Sequence, residues 1–508
     1  MTIKKYFASA DTTISNAFDQ SLLSANTATG SNMGQADILE TFQVYGQVSS
    51  SSGLSSELSR ILVRFDTTAI ASDRSAGTIP ASSNVSFYLK LYNAAHPDTI
   101  PENYTMAVQA VSQSWQEGFG LDMINYTDKT YGLTGSTWSY RGTTGAWAVA
   151  GGKYHQTPIY DVTMTTGLEN INLDVTTLVE QWLAGTKDND GFGISLSSSY
   201  EQETKSYYTK KFFARGSEFY FKRPVLEARW DNTIQDDRKS FFLSSSLAPA
   251  EDNLNTIYLY NNVRGRLRNI PSIGTDSIYV SIYSGSSDNT VPDAGPLDMV
   301  ADASHVVAAR PKVITGSYVS TGVYAATFAF TGSSTLTKIY DVWFSGSENV
   351  TSADGAGVVQ LHTGTIDINT LSADIYNPST RYILSLSNLR ESYGPTETAR
   401  FKLYARPRDW SPTIYTKASN VPETTIITSA SYEIFRATDG LKVIPFGTGS
   451  DYHTGLSYNV SGNYFDLDLS NLEKDYTYGI RFSFYDDAVA SWNTQPYEFN
   501  FKVRNDEY

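Results

Sequence analysis

Apolar residues in this chain recur at every second position far more often than at helical spacing. In the segment 85–92, Val85, Phe87, Leu89 and Leu91 fall on one side of an extended chain, and Ser86, Tyr88, Lys90 and Tyr92 on the other. Successive side chains of a strand point to opposite faces, so this alternation predicts a half-buried strand. Similar short segments, Ser59-Arg-Ile-Leu-Val-Arg-Phe-Asp66 and Gly193-Ile-Ser-Leu-Ser197 among them, are separated by turn-forming clusters of Ser, Gly, Asn and Asp. One stretch breaks the two-residue period. In 175–184, Leu178, Val179, Trp182 and Leu183 lie at helical spacing, with Asp174 placed to cap the first turn and Gly185 to end the last. The only substantial helix is expected there. The apolar faces place Phe65, Leu89, Leu91, Trp115, Val179, Trp182 and Ile194 in a core.

A chain of 508 residues has room for about three or four domains. The strand series pauses after Trp230 at the polar Asp231-Asn-Thr-Ile-Gln-Asp-Asp-Arg-Lys239, and again at Glu391-Ser-Tyr-Gly-Pro-Thr-Glu-Thr398. The second series is expected to end near Tyr382-Ile-Leu-Ser-Leu386, and the last to start at Arg400. The expected organisation is all-β: a jelly-roll-like β-sandwich over 1–232, followed by two smaller Ig-like β-sandwich domains over 233–395 and 396–508. The last two echo one another weakly. Ile366-Asp-Ile-Asn-Thr-Leu371 and Phe465-Asp-Leu-Asp-Leu-Ser-Asn-Leu472 each precede a Tyr-containing strand.

Composition narrows the function classes. Hydrophobic residues make up 40% and charged residues 18%, too apolar for a disordered chain, and the 13% aromatic share suits pleated surfaces. The net charge is −15, and no run of Lys or Arg is longer than two. Gripping phosphates needs basic patches, so nucleic acid is not an expected partner. Cysteine is absent, which excludes disulfides, thiolate metal sites and Cys nucleophiles. No apolar run approaches the ~18 residues of a membrane span, and the few apolar residues after Lys4 and Lys5 are too short for a signal-peptide core. The chain is expected to stay in the cytoplasm or to leave by a route such as lysis.

Catalytic and metal-binding patterns are sparse in the sequence. The histidines, His96, His155, His305, His362 and His453, are far apart and lack zinc spacing. There is no Gly-x-Ser-x-Gly elbow, phosphate loop or dinucleotide fingerprint. Lys187-Asp-Asn-Asp-Gly191 fails the calcium-loop pattern because its glycine comes too early, and reads as a turn. Glu117, Asp122 and Glu180 are candidate carboxylates for glycoside chemistry only in that they are acidic; Glu117 stands near Trp115. Trp138, Tyr140 and Trp147 lie in the Gly- and Thr-rich run 132–152, where they either pack under a long loop or meet a ligand. Tyr207 and Tyr208, beside Lys205, Lys210 and Lys211, form a basic aromatic cluster suited to an acidic partner. These five aromatics are the candidate carbohydrate or partner contacts. No catalytic residue, metal ligand or cofactor site is assigned.

Residues 6–230 resemble the DNRLRE family of β-sandwich modules. The resemblance is carried in order by Ala10-Asp-Thr-Thr-Ile14, Ser59-Arg-Ile-Leu-Val-Arg-Phe-Asp66, Ile79-Pro80, the strand 85–92, Ser114-Trp-Gln-Glu-Gly118, Gly151-Gly152, Leu173-Asp-Val-Thr176, Trp182, Gly191-Phe-Gly-Ile194 and Pro224-Val-Leu226. The run Thr204-Lys-Ser-Tyr-Tyr-Thr-Lys-Lys-Phe-Phe213 departs from the family's shorter Ser-rich strand. The C-terminal third is similar to accessory virion proteins of marine, cyanophage-like tailed phages. That likeness rests on Arg408-Asp-Trp-Ser-Pro-Thr-Ile-Tyr415, Tyr452-His-Thr-Gly-Leu-Ser-Tyr458, Ser461-Gly-Asn-Tyr-Phe-Asp-Leu-Asp468 and Phe499-Asn-Phe-Lys-Val-Arg504. The resemblances imply a non-catalytic structural protein of a phage particle, assembled in the host cytoplasm. It would decorate the head or form part of the neck, collar or tail, with other virion proteins and copies of itself as partners. The alternative is a carbohydrate-binding protein that recognises a surface polysaccharide.

Overall fold

The computed structural model describes residues 2–18, 31–50, 53–121, 135–245, 249, 251–285, 295–299, 311–331, 336–347, 349–369, 380–411, 414, 424–449, 452–487 and 489–504. The protein is all-β, with strands gathered into three successive units.

The first unit contains β1 (Ile3–Ser15), β2 (Ile38–Ser50), β3 (Gly53–Phe65), α1 (Thr67–Ser75), β4 (Ser86–Leu91), β5 (Tyr104–Val111), β6 (Tyr154–Met164), β7 (Ile171–Asp174), α2 (Thr176–Leu183), β8 (Phe192–Leu196), α3 (Ser198–Glu201), β9 (Tyr207–Phe213) and β10 (Val225–Arg229). Its strands run in the order β6-β5-β8-β3-β1-β10-β4-β7, and β2 bridges β3 to β9. β1 serves two layers. Ile3 to Phe7 pair with β10, Ala8 to Ser15 pair with β3, and the register slips between Ala8 and Ala10. Such a bulge bends and twists a strand, which carries β1 from one layer of the sandwich to the other. The apolar alternation fills the space between the layers with Phe65, Leu89, Leu91, Val179, Trp182 and Ile194, and Trp115 is buried in a separate small core. Trp182 meets Phe192 edge-on at 4.8 Å.

α2 forms where the helical spacing placed it. The N-cap is Val175 rather than the expected Asp174, whose Oδ1 still accepts from Thr176 N at 2.9 Å, and Gly185 takes the positive φ of +69° that closes a helix. The expectation of a single substantial helix needs correction, because α1 is also a helix. Its start is set by Asp66, which accepts from Thr68 N, and only Ile70 is buried along it. Without an apolar stripe α1 has no periodic signal. It is held from outside by Arg74, which donates to both carboxylate oxygens of Glu180 on α2 at 2.9 and 2.6 Å.

The middle unit contains β11 (Phe241–Phe242), β12 (Asn255–Tyr260), β13 (Asn262–Val263), β14 (Arg266–Leu267), β15 (Ile278–Tyr283), β16 (Ile314–Ser320), β17 (Val323–Phe328), β18 (Lys338–Ser345) and β19 (Val359–Asn369). One 7-stranded sheet runs β11-β19-β18-β15-β16-β17-β12. Its two end strands are joined by a side chain. Asn255 of β12 accepts from Phe242 N at 3.1 Å and donates to Phe242 O at 3.0 Å. The amide stands in for a missing ladder rung and curls the sheet on itself around Trp343, Tyr324 and Phe328.

The last unit contains β20 (Tyr382–Leu386), β21 (Ser392–Tyr393), β22 (Thr398–Pro407), β23 (Ala430–Arg436), β24 (Lys442–Ile444), β25 (Ser457–Asn459), β26 (Gly462–Asp468), β27 (Thr477–Asp486), β28 (Ser491–Thr494) and β29 (Phe499–Val503). A 4-stranded sheet, β20-β22-β26-β25, faces a 6-stranded one, β21-β29-β27-β23-β24 with β28 on β27. Between them Phe465 stacks on Phe401 at 5.2 Å and on Tyr432 at 4.0 Å. The expected boundary at 395/396 is crossed by this pairing. β20 lies against β22 from Tyr382↔Pro407 to Leu386↔Leu403, so it belongs to the last unit. The polar stretch 391–398 is sheet edge as well as connector, because β21 pairs with β29 and Tyr393 is buried.

Trp182→Ala is expected to cost about 3–5 kcal/mol in chemical unfolding, the usual loss for a buried Trp. Asn255→Ala, which removes the amide joining β11 to β12, should cost about 1–3 kcal/mol. No change for Trp182→Ala would show that the inward face of α2 is wrongly assigned.

Candidate functional site

The five candidate aromatics separate into two groups. Trp138 and Trp147 are buried beneath the 135–152 loop, in a small core with Trp115, Ile14 and Leu62. The loop is pinned tightly onto them. Gly151 has φ +83°, and a Cβ there would come within 2.7 Å of the Trp138 ring. Trp147 Nε1 donates to Thr137 O at 2.9 Å. Tyr207 is also buried, and its hydroxyl donates to Glu203 Oε2 at 2.8 Å. These three rings are packing residues: Trp138 and Trp147 take the packing role left open beside ligand contact, and Tyr207 is corrected from an exposed partner contact to a buried ring. Tyr140 and Tyr208 are exposed, at 53% and 42%, on separate elements: the 135–152 loop and β9. The basic cluster around β9 also dissolves. Lys210 is buried and donates to Asn93 Oδ1, Gly167 O and Glu169 O at 2.7 to 2.8 Å, and burial lowers its ammonium to a pKa of about 8.

The candidate carboxylates are likewise committed to structure. Glu117 accepts from Arg215 at 2.9 and 2.8 Å and from Asp11 N at 2.9 Å, whereas Glu180 holds Arg74. Asp122 and His305 lie outside the described residues. In the 187–191 turn Asn189 points inward and donates to Phe65 O at 2.8 Å, a contact that ties the turn to β3.

A groove of about 630 Å³ opens on the face of β5, β6 and β8 and is closed at one end by α3. Thr105, Gln109, Gln156, Asp161 and Ser195 line it with small polar groups. Arg60 forms one wall. Its guanidinium lies 5.2 Å over the Trp138 ring and 5.7 Å over the Tyr154 ring, and donates to both oxygens of Glu201 at 2.9 and 2.7 Å. The buried Trp138 therefore supports the groove from below.

The most elaborate polar construction is the junction between units, which sequence reasoning missed. On the outward side of the first sandwich, Glu227 is fully buried and meets Arg229 at 2.7 Å and Lys90 at 3.3 Å. Burial alone would raise the Glu227 carboxyl, but Lys90, Lys5 and Arg229 outweigh it and hold the pKa at about 2. Lys5 also donates to Val443 O of the last unit at 2.9 Å. Beside it, Ile3 and Phe221 sit inside the last unit's core, with Phe221 edge-on to Tyr478 at 6.4 Å. Thr2 donates to His453 O, and Asn471 Nδ2 to Ile3 O at 3.3 Å.

The polar stretch 231–239, expected to be a linker, completes this junction. Asp236 N donates to Tyr458 O at 3.1 Å, Ile234 N to Ser457 Oγ at 3.0 Å, and the Tyr458 hydroxyl to Asp237 Oδ1 at 2.7 Å. Lys239 donates to Thr424 O at 2.9 Å. Arg238 faces the middle unit instead and holds the buried Asp341 through both oxygens at 2.6 and 2.7 Å. Nine consecutive residues thus fasten the middle and last units to each other. Their charges looked solvated in the sequence, since nothing there shows what lies opposite them.

No family model matches the chain, and no curated protein matches it. Among solved structures, it is similar to the native conformation of alpha-2-macroglobulin from E. coli at 7% identity and a TM-score of 0.14, over 92% of this chain and 20% of that one. The tetra-tandem repeat in the extending region of a large adhesion protein is similar at 9% identity and a TM-score of 0.13, over 93% of each chain. Trypsin-activated alpha-2-macroglobulin from Escherichia coli is similar at 8% identity and a TM-score of 0.14, over 98% of this chain and 30% of that one. Likenesses of this size carry no argument.

The junction sets a pH signature. Glu227 has a lowered folded pKa, so its stabilisation is present above its ordinary value of 4.5 and is lost as pH falls toward about 2. Asp236 and Asp11 behave oppositely. Burial raises Asp236 to about 6 and Asp11 to about 7, so the folded state holds their protons while the unfolded state has released them. Their contribution falls as pH rises from about 4 through those values. Glu227→Gln should cost roughly 3–5 kcal/mol at neutral pH by leaving buried cations unpaired. That difference should shrink steadily as pH falls from 4.5 toward 2. Asp236→Asn should raise the thermal midpoint more at pH 8 than at pH 4, and an equal shift at both would contradict the assignment.

Proposed function

We propose that this chain is a non-catalytic structural protein of a tailed-phage virion, working through protein–protein interfaces in head decoration, neck, collar or tail. Its partners are copies of itself and other virion proteins, and it is assembled in the host cytoplasm. The observation that carries this reading is the junction. Buried charged and polar groups fasten three β-units to one another, which suits a static scaffold better than domains that must close on a substrate. The likeness of the C-terminal third to accessory virion proteins supports the same reading. So does the commitment of Glu117 and Glu180 to ion pairs.

Recognition of a surface polysaccharide is the second reading. It is favoured by the polar groove on β5, β6 and β8, whose amides and hydroxyls suit sugar hydroxyls. On that reading Tyr140 and Tyr208, the exposed members of the five candidate aromatics, are peripheral contacts at most.

Co-sedimentation with purified particles tests the first reading. The intact chain should be recovered with particles in a fixed copy ratio and persist through a salt wash. Its absence from particles, or turnover of a polysaccharide by the purified chain, would overturn the proposal. Deleting the last unit is a poor variant, because it would strip the cover from Ile3 and Phe221.

A further inference from the structure

A second pocket, of about 440 Å³, lies in the last unit where the end of β20 meets the β27–β28 hairpin. Two arginines line it. The β20–β22 register runs through Tyr382↔Pro407, and Arg408 N donates to Arg381 O at 2.7 Å, so the ladder extends one step and sets Arg381 opposite Arg408. Both are exposed. Like charges directly opposite on paired strands are destabilising, whereas several other arginines of this acidic chain each grip a carboxylate. Among the described residues, neither of these two guanidinium groups has a hydrogen-bond or ion-pair partner. A repulsive pair at the mouth of a pocket is what an anionic ligand would neutralise.

The rest of the lining narrows the ligand. Asn493 and Gln495 bring amides to one wall, and Tyr382 and Tyr497 bring rings to another. The Tyr497 hydroxyl donates to Tyr382 O at 3.2 Å, and the Tyr382 ring is braced edge-on against Phe484 at 5.5 Å, so this wall is fixed. Asp486 also lines the pocket. A planar guanidinium matches a carboxylate with two parallel hydrogen bonds. Amides and aromatic faces suit ring hydroxyls and the apolar face of a sugar. The volume is within the usual range of small-ligand sites. We propose that this pocket binds a uronic-acid residue of an acidic polysaccharide, with Arg381 and Arg408 sharing its carboxylate.

The inference does not rest on the particle assignment, and its test needs no particles. Titration calorimetry of the full chain with alginate oligosaccharides, as polyuronate probes, should show saturable binding that weakens with added salt. Dextran of similar length should not bind. Arg381→Ala/Arg408→Ala should lower alginate affinity by about tenfold or more, while its thermal midpoint stays level or rises as the repulsion is removed. Should the double variant fail to fold, Arg408→Gln alone should still give a measurable loss. Equal affinity for alginate and dextran, equal affinity for polyglutamate, or full alginate affinity in the arginine variants would each overturn the proposal.

Discussion

Glu227 is the point on which the arrangement of the units turns. A carboxylate with no exposed surface is tolerable only if cations reach it, and three do: Arg229 from its own strand, Lys90 from β4 and Lys5 from β1. All of these lie on the side of their strands that faces away from the first sandwich's core. They can be buried only because something covers that side. Lys5 identifies the cover by donating to Val443 O in the last unit. The first sandwich therefore exposes a half-neutralised charged face unless the last unit is in place.

The ends of the first unit follow from that cover. β1 begins within the last unit's core at Ile3, pairs with β10, and after its bulge pairs with β3. One strand thus links both layers of the first unit to the last unit's core. Phe221, just ahead of β10, enters the same foreign core. The chain then leaves β10 as 231–239, which is hydrogen-bonded along its length to the last unit and, through Arg238, ion-paired to the middle one. The groove over β5, β6 and β8 and the arginine-lined pocket beside β28, which lie on different units, are consequently held in a fixed relation.

What the sequence made legible was whatever depends on one strand or helix alone. The alternation in 85–92 placed Leu89 and Leu91 inward, and the spacing of Leu178, Val179 and Trp182 located α2. What escaped depends on the element lying opposite. Lys90 stands on the polar face of its strand and reads as solvated until β10 is placed beside it. β20 reads as the end of one unit because its partner, β22, comes after a polar stretch. α1 has a capping signal in Asp66 but no apolar stripe, so periodicity passes over it. Of the candidate site, Tyr140 and Tyr208 are exposed. Trp138 and Trp147 take the packing role that the sequence left open beside ligand contact, because a Gly-rich loop looks the same whether it carries its rings outward or clamps them against a core, and Tyr207 of β9 is buried where an exposed cluster was expected.

The central claim is that the first and last units form one cooperative body through the cover over Glu227. Differential scanning calorimetry of the intact chain at neutral pH tests it directly, with the middle unit free to melt separately. The account predicts that the first and last units unfold together in one transition, and that Glu227→Gln lowers that transition as a whole. Separate transitions for those two units, with only the first moved by Glu227→Gln, would contradict it.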